Sequence, residues 1–173
     1  MLRCCFYVPL LCLFILLFSA HSAFAVGAHE YDNHVNTRVL VGSVKTNSAK
    51  IAVLCEIQPG WHIYGKESGD IGMPTQFWVD DTGVRDVTVH WPKPTKLRNR
   101  VGNQVLSSFT YGGVTVFPVT LGIRDRATRS VKLHMSFAVC GDVCIPQRRI
   151  LEVTLPQSGF IDYEVMDLIR NVK

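Results

Sequence analysis

The sequence lacks the short motifs that mark the commonest hydrolases, metalloproteases and nucleotide-binding proteins. It contains no G-x-S-x-G, no H-E-x-x-H and no phosphate-binding glycine loop. Cysteine is scarce as well. Three of the six cysteines lie in the first 25 residues, a stretch that is considered below as a cleaved signal, and only Cys55, Cys140 and Cys144 follow it. Three cysteines are too few for a disulfide-scaffold protein. These absences leave the few cysteines as the main candidates for chemistry.

The excess of positive charge is also small, since the chain has 18 Lys plus Arg and 14 Asp plus Glu, which gives a net charge of +4. The basic residues bunch in two turn-like segments, where solvated charge is the usual finding. These groups are Lys93, Lys96, Arg98 and Arg100, and then Arg124, Arg126 and Arg129. We therefore expect no nucleic-acid partner.

The N-terminus carries the features of a secretory signal peptide. Arg3 precedes an apolar run over residues 8–18, and a small-residue cleavage site follows that ends at Ala25. The apolar run is shorter than the roughly 20 residues that span a bilayer, so a cleaved signal and a soluble product are favoured over a membrane anchor. The predicted boundaries are a signal peptide over 1–25, a polar lead-in over 26–36 and one domain over 37–173.

Beyond the lead-in, apolar and polar residues alternate in short runs that are separated by turn residues. This pattern indicates half-buried antiparallel strands. Pro118 lies inside one run and suggests an edge strand or a bulge, while residues 58–74 are predicted to form a long loop. The predicted strands cover residues 39–45, 50–57, 75–79, 84–91, 105–111, 114–121, 130–139 and 148–155, with a basic loop between 91 and 105.

Helical periodicity is confined to the C-terminus, where Ile161, Val165, Leu168, Ile169 and Val172 form one apolar stripe. Many short strands with turns between them predict an all-β protein. The favoured architecture is an antiparallel, immunoglobulin-like β-sandwich with a short C-terminal helix. A small closed barrel is the alternative.

Cys55 lies in the second predicted strand. Because side chains alternate between the two faces of a strand, it shares an apolar face with Val53 and Ile57. Free cysteine behaves as a small hydrophobic residue. We therefore expect Cys55 to be a buried free thiol.

Cys140 and Cys144 lie four residues apart, at a turn between two predicted strands. Such a turn can bring the two Cα atoms within the distance that a disulfide needs, and an oxidising compartment favours closure of the bond. A closed loop of about five residues adds only ~2 kcal/mol to stability in the chain-entropy model. The pair can therefore be an exchanging disulfide, a structural one, or two thiolates that hold a soft ion such as Cu(I).

Several motifs, taken in order, resemble the N-terminal periplasmic domain of the DsbD/ScsB thiol:disulfide interchange proteins, also called the disulfide bond corrector domain. The resemblance covers most of the chain, from about Arg38 to Leu155. The motifs are Pro59-Gly60-Trp61-His62-Ile63-Tyr64, Gly69-Asp70-Ile71-Gly72-Met73-Pro74, Trp91-Pro92-Lys93-Pro94, Tyr111-Gly112, and Val139-Cys140 with Cys144-Ile145-Pro146.

The resemblance implies a periplasmic thiol-disulfide oxidoreductase that takes electrons from a membrane-embedded transporter and passes them to oxidised periplasmic proteins. Cys140 and Cys144 match the redox pair of the family and are the predicted catalytic residues, with a spacing like that of the ScsB branch. No cofactor and no metal site is expected. Full-length members continue into a membrane domain and a thioredoxin-like domain, whereas this chain stops at Lys173, so we expect a separate membrane-bound electron donor.

Charged residues near the pair have opposing effects on a thiolate. Asp142 would disfavour it, whereas Arg148 or Arg149 would favour it if either lies close. Two other functions remain open on the residues alone. One is a copper-handling module, and the other is a protein-binding domain whose disulfide is only structural.

Overall fold

The computed structural model describes residues 32–125 and 127–172, so the predicted signal peptide over 1–25 lies outside the described residues. Within those ranges, no helix is long and apolar enough to cross a membrane. The predicted boundary between the polar lead-in over 26–36 and the domain over 37–173 stays a prediction, although the first strand already begins at Val35. In chain order the elements are a 3-10 turn Asp32–His34, β1 Val35–Lys45, β2 Ser48–Ile57, β3 His62–Gly69, β4 Gln76–Val79, β5 Val84–Val89, β6 Thr95–Val101, β7 Gln104–Tyr111, β8 Val114–Ile123, β9 Ser130–Cys140, β10 Cys144–Thr154 and α1 Tyr163–Arg170.

The strands form two antiparallel sheets that pack face to face. The first sheet has the order β1-β2-β8-β5, and the second has the order β10-β9-β3-β7-β6, with β4 added on β9. The all-β, immunoglobulin-like sandwich with a C-terminal helix is therefore confirmed, and the closed barrel is not formed.

The core lies between the sheets and follows the two-residue period of each strand. In β2 the inward residues are at most 2% exposed, and the same holds for alternate residues of β9. They are Ile51, Val53, Cys55 and Ile57 in β2, and Leu133, Met135, Phe137 and Val139 in β9.

Phe117 of β8 joins the two sheets. Its side chain is fully buried, and its ring lies 5.1 Å from the ring of Tyr111 in β7 and 5.6 Å from that of Phe77 in β4, centroid to centroid. Trp91 makes a third ring contact at 5.5 Å. Tilted and edge-to-face aromatic pairs of this kind add stability beyond the area they bury.

Two segments predicted as loops are strands. Part of the predicted loop 58–74 forms β3, and the predicted basic loop contains β6. Neither shows regular alternation: β3 has a register shift between Tyr64 and Gly69, and β6 is an edge strand that is exposed apart from a half-buried Leu97. Lysine and arginine on an edge strand discourage pairing with other chains.

Pro118 does not mark an edge strand, because β8 lies between β2 and β5. The carbonyl of Pro118 accepts a hydrogen bond from the backbone N–H of His90 at 2.8 Å. In a strand, the backbone nitrogen and carbonyl of one residue point to the same neighbouring strand. The nitrogen of Pro118 therefore faces β5, near its last residue Val89, so the N–H that proline lacks would have pointed to the end of that strand. The sheet therefore accommodates proline in an inner strand.

Helix α1 packs against the first sheet near Gly42 of β1. A Cβ on Gly42 would lie 3.0 Å from Ile169 Cδ1 and from Met166 Sδ, so glycine permits this close approach. The helix begins after Asp162, whose carboxylate accepts hydrogen bonds from the backbone N–H groups of Glu164 and Val165. The predicted C-terminal helix is thus confirmed.

We predict that Phe117→Ala lowers the free energy of unfolding by about 3–5 kcal/mol, because it removes a buried ring from between the sheets. Urea denaturation monitored by tryptophan fluorescence measures the loss. Val114→Ala is the matched control in the same strand, since Val114 is 71% exposed and its change should stay within about 0.5 kcal/mol. Equal losses for the two variants would contradict the role assigned to Phe117.

Candidate functional site

The β9–β10 hairpin brings the two predicted catalytic cysteines together. Cys144, the first residue of β10, pairs directly with Cys140, the last residue of β9. Their Cα atoms are 4.1 Å apart and their sulfurs form a disulfide. Residues 141–143 form the connecting turn, which is closed by a hydrogen bond from the Gly141 N–H to the Val143 carbonyl at 3.0 Å.

The two sulfur-bearing residues differ in exposure. Cys140 is only 1% exposed, whereas Cys144 is exposed. Cys140 packs with Tyr64 and Ala138, and Met73 lies against this small cluster. A molecule approaching from solvent therefore reaches the Cys144 side of the disulfide.

The cysteines lie on the outer face of the second sheet. Alternation along β9 puts Val139 in the core and Cys140 on the opposite face. On its other side Cys140 pairs with His62 of β3. Because directly opposed residues share a face, Cys144, Cys140 and His62 form one row across three strands.

Tyr64 covers Cys140 and is itself held from several sides. It is 5% exposed, and burial raises the pKa of its hydroxyl. The Thr75 hydroxyl donates to the Tyr64 carbonyl at 2.6 Å. Gly72 has φ +106, and a Cβ there would overlap the Tyr64 ring, so the 69–75 segment can lie flat on the tyrosine.

Trp61 supports the turn of the hairpin. A Cβ on Gly141 would lie 3.1 Å from Trp61 Cδ2, so the glycine sits directly on the indole. His34 stacks on Trp61 with ring centroids 3.6 Å apart, and its Nδ1 lies 2.6 Å from Gln58 Oε1. The start of the described chain is thereby connected to the cysteine turn.

The two arginines considered for the thiolate do not lie beside the cysteines, whereas Asp142 lies in the turn between them. Arg148 lies four residues along β10 from Cys144, about 13 Å at the usual rise per strand residue, and its guanidinium lies 5.5 Å from the centroid of the Trp78 ring. Arg149 alternates to the other face of the strand, and Asp142 is exposed in the turn.

Cys55 is the predicted buried free thiol, and this prediction is confirmed. Its residue is 0% exposed and forms no disulfide among the described residues. Burial raises the pKa of the thiol to about 12, so it stays protonated and unreactive at neutral pH.

Sequence reasoning missed His62, Tyr64 and Trp61 as neighbours of the cysteines, because pairing of β3 with β9 brings them there. No local alternation marks them, because Ile63 and Tyr64 are consecutive in β3 and are both buried. In residues 32–125 and 127–172, no group of three or more His, Cys, Asp or Glu residues is arranged to hold a metal ion.

Comparisons with known proteins identify a family and a similar fold. The family model for the N-terminal domain of thiol:disulfide interchange protein DsbD matches residues 33–156, whereas no curated protein sequence matches the chain. The structure of the N-terminal periplasmic domain of ScsB from Proteus mirabilis is similar, with a TM-score of 0.67 and 22% identity over 85% of this chain and 57% of that one. The reduced N-terminal domain of DsbD from Neisseria meningitidis has a TM-score of 0.45 and 11% identity over 71% of this chain and 86% of that one. The chain thus spans little more than half of the ScsB structure.

We predict that iodoacetamide leaves Cys55 unmodified in the folded protein at pH 8, because the thiol is buried and protonated. Peptide mapping by mass spectrometry reads Cys55 separately from every other thiol. The same reagent in denaturant should modify it fully, which serves as the control. Rapid modification in the folded protein would show that Cys55 is accessible.

Proposed function

The chain belongs to the family of the N-terminal domain of thiol:disulfide interchange protein DsbD, and from this membership we propose that it exchanges disulfides through Cys140 and Cys144. The observation that carries the proposal is the unequal exposure of the two cysteines. An exchanging pair needs one sulfur that a partner can reach and a second one that stays behind to resolve the mixed disulfide.

In the reducing direction, the Cys144 thiolate attacks a sulfur of the partner's disulfide. A bond forms between Cys144 and that sulfur, and the other partner sulfur leaves as a thiolate. The Cys140 thiolate then attacks the Cys144 sulfur, which restores the Cys140–Cys144 disulfide and releases the first partner sulfur. Two electrons pass to the partner, and a dithiol donor returns the pair to the reduced state by the reverse steps.

A purely structural role for the disulfide has less support. The bond closes a loop of about five residues, which corresponds to only ~2 kcal/mol of stabilisation. The turn it joins is already part of a continuous β9–β10 ladder. The large buried side chains between the sheets form a core that does not include the disulfide.

We further propose that the protein works in the periplasm after removal of residues 1–25. Its partners are a membrane-bound thiol-disulfide electron donor and oxidised periplasmic proteins. The exposed Val143 beside Cys144 offers an apolar contact to a partner at the sulfur that reacts. The protein is then an enzyme of the protein-disulfide reductase type that needs no cofactor.

We predict that Cys140→Ser and Cys144→Ser differ in their reaction with oxidised glutathione. Cys140→Ser leaves the exposed Cys144 and should form a mixed disulfide quickly, whereas Cys144→Ser leaves a buried thiol that reacts much more slowly. Peptide mapping after timed quenching gives both rates. The double variant is the control, and equal rates for the single variants would contradict the assigned roles.

We also predict that graded mixtures of reduced and oxidised glutathione titrate the wild-type disulfide. An exchanging pair should have a reduction potential above roughly −300 mV, whereas structural disulfides typically lie below this value. Quenching by alkylation and quantifying the peptide that contains both cysteines gives the potential. A bond that stays oxidised throughout would favour the structural role, and tight Cu(I) binding without exchange would favour the copper-handling alternative.

A further inference from the structure

His62 occupies the third place in the row that contains the disulfide. It pairs with Cys140 on the side opposite Cys144. In antiparallel sheets, directly opposed residues have Cβ atoms about 4.5–5.5 Å apart. The side chains of His62 and Cys140 therefore start from neighbouring positions on the same face of the sheet.

One nitrogen of this imidazole has no partner in the disulfide form. Nε2 of His62 is buried, and no described residue forms a hydrogen bond with it. The ring meets the edge of Tyr64, with centroids 5.3 Å apart, so an aromatic contact rather than a polar one holds it. A buried polar atom without a partner costs stability, so a hydrogen-bond partner that arises in another state of the protein would favour that state.

Reduction of the disulfide supplies the missing partner. When a donor thiolate attacks the Cys144 sulfur, the bond between the two cysteines breaks and Cys140 leaves as a thiolate with the bonding electron pair. A disulfide sulfur is a weak hydrogen-bond acceptor, whereas a thiolate is a charged one. Hydrogen bonds to a charged acceptor are stronger than those to a neutral one.

We infer that the Nε2–H group of His62 donates a hydrogen bond to the Cys140 sulfur in the reduced protein and thereby favours its thiolate over its thiol, a role that rests on the proposed exchange function. The bond stabilises Cys140 as a leaving group and raises the reduction potential of the pair. Desolvation lowers the pKa of His62, which favours the neutral ring, and a neutral imidazole carries one N–H. No proton has to be transferred for the hydrogen bond to form.

The test compares four full-length variants by their equilibrium with glutathione at pH 7. His62→Phe keeps the aromatic contact with Tyr64 and removes the N–H. His62→Gln can place an amide N–H where Nε2 lies, whereas the shorter His62→Asn cannot reach that position. His90→Phe is the matched control, because His90 is exposed and its ring nitrogen lies beside the Thr120 hydroxyl of the other sheet, 3.0 Å away.

We expect His62→Phe and His62→Asn to shift the equilibrium toward the disulfide by roughly tenfold, as for loss of a hydrogen bond to a charged group. For a two-electron couple this is a potential lower by about 30 mV. His62→Gln and His90→Phe should remain close to wild type. Because Phe, Asn and Gln all alter packing but only Gln can place an N–H at the Nε2 position, a purely structural effect would not produce this pattern.

Two outcomes overturn the inference in distinguishable ways. If wild type exchanges with glutathione and both His62→Phe and His62→Asn keep its potential, His62 has no role at the sulfur and the proposed function stands. If the wild-type disulfide itself resists glutathione, the proposed function fails and the inference fails with it. Should His62→Phe not fold, the comparison of His62→Asn with His62→Gln decides the first case.

Discussion

The candidate site depends on the antiparallel ladder between β9 and β10. At the end of this ladder that lies away from the cysteine hairpin, Leu151 opposes Leu133 and Val153 opposes Val131. All four side chains are buried in the core. A slip of one residue would turn these side chains toward solvent. The register that the core enforces there is the same register that places Cys144 opposite Cys140 at the hairpin end.

The same alternation separates the site from the core. Val139 faces inward and Cys140 faces outward, so the inner face of the second sheet packs in the core while its outer face carries the two cysteines. Cys140 is nevertheless buried, because Tyr64 and Met73 cover it. The proposed exchange needs Cys144 to remain reachable, since an attacking thiolate must approach the sulfur with which it reacts.

Much of the architecture could be predicted from the sequence, because alternating strands and an apolar helical stripe are local patterns. The inward position of Cys55 and the C-terminal helix follow from them directly. β3 and β6 could not be predicted in the same way, since an irregular register and an exposed edge leave no clear period. The prediction of an edge strand from Pro118 was wrong, because only the sheet topology shows that the N–H which proline lacks would face the end of β5.

The sequence by itself determined the identity of the cysteine pair, its position at a turn and the family resemblance, because four-residue spacing and ordered motifs are properties of the chain. The tertiary structure decided which sulfur is exposed and which groups surround it. Tyr64 and His62 come from a strand distant in sequence from Cys140, and only the pairing of β3 with β9 brings them to it. Burial and cross-strand contact arise from the whole sheet, so no local pattern around the two cysteines could specify them.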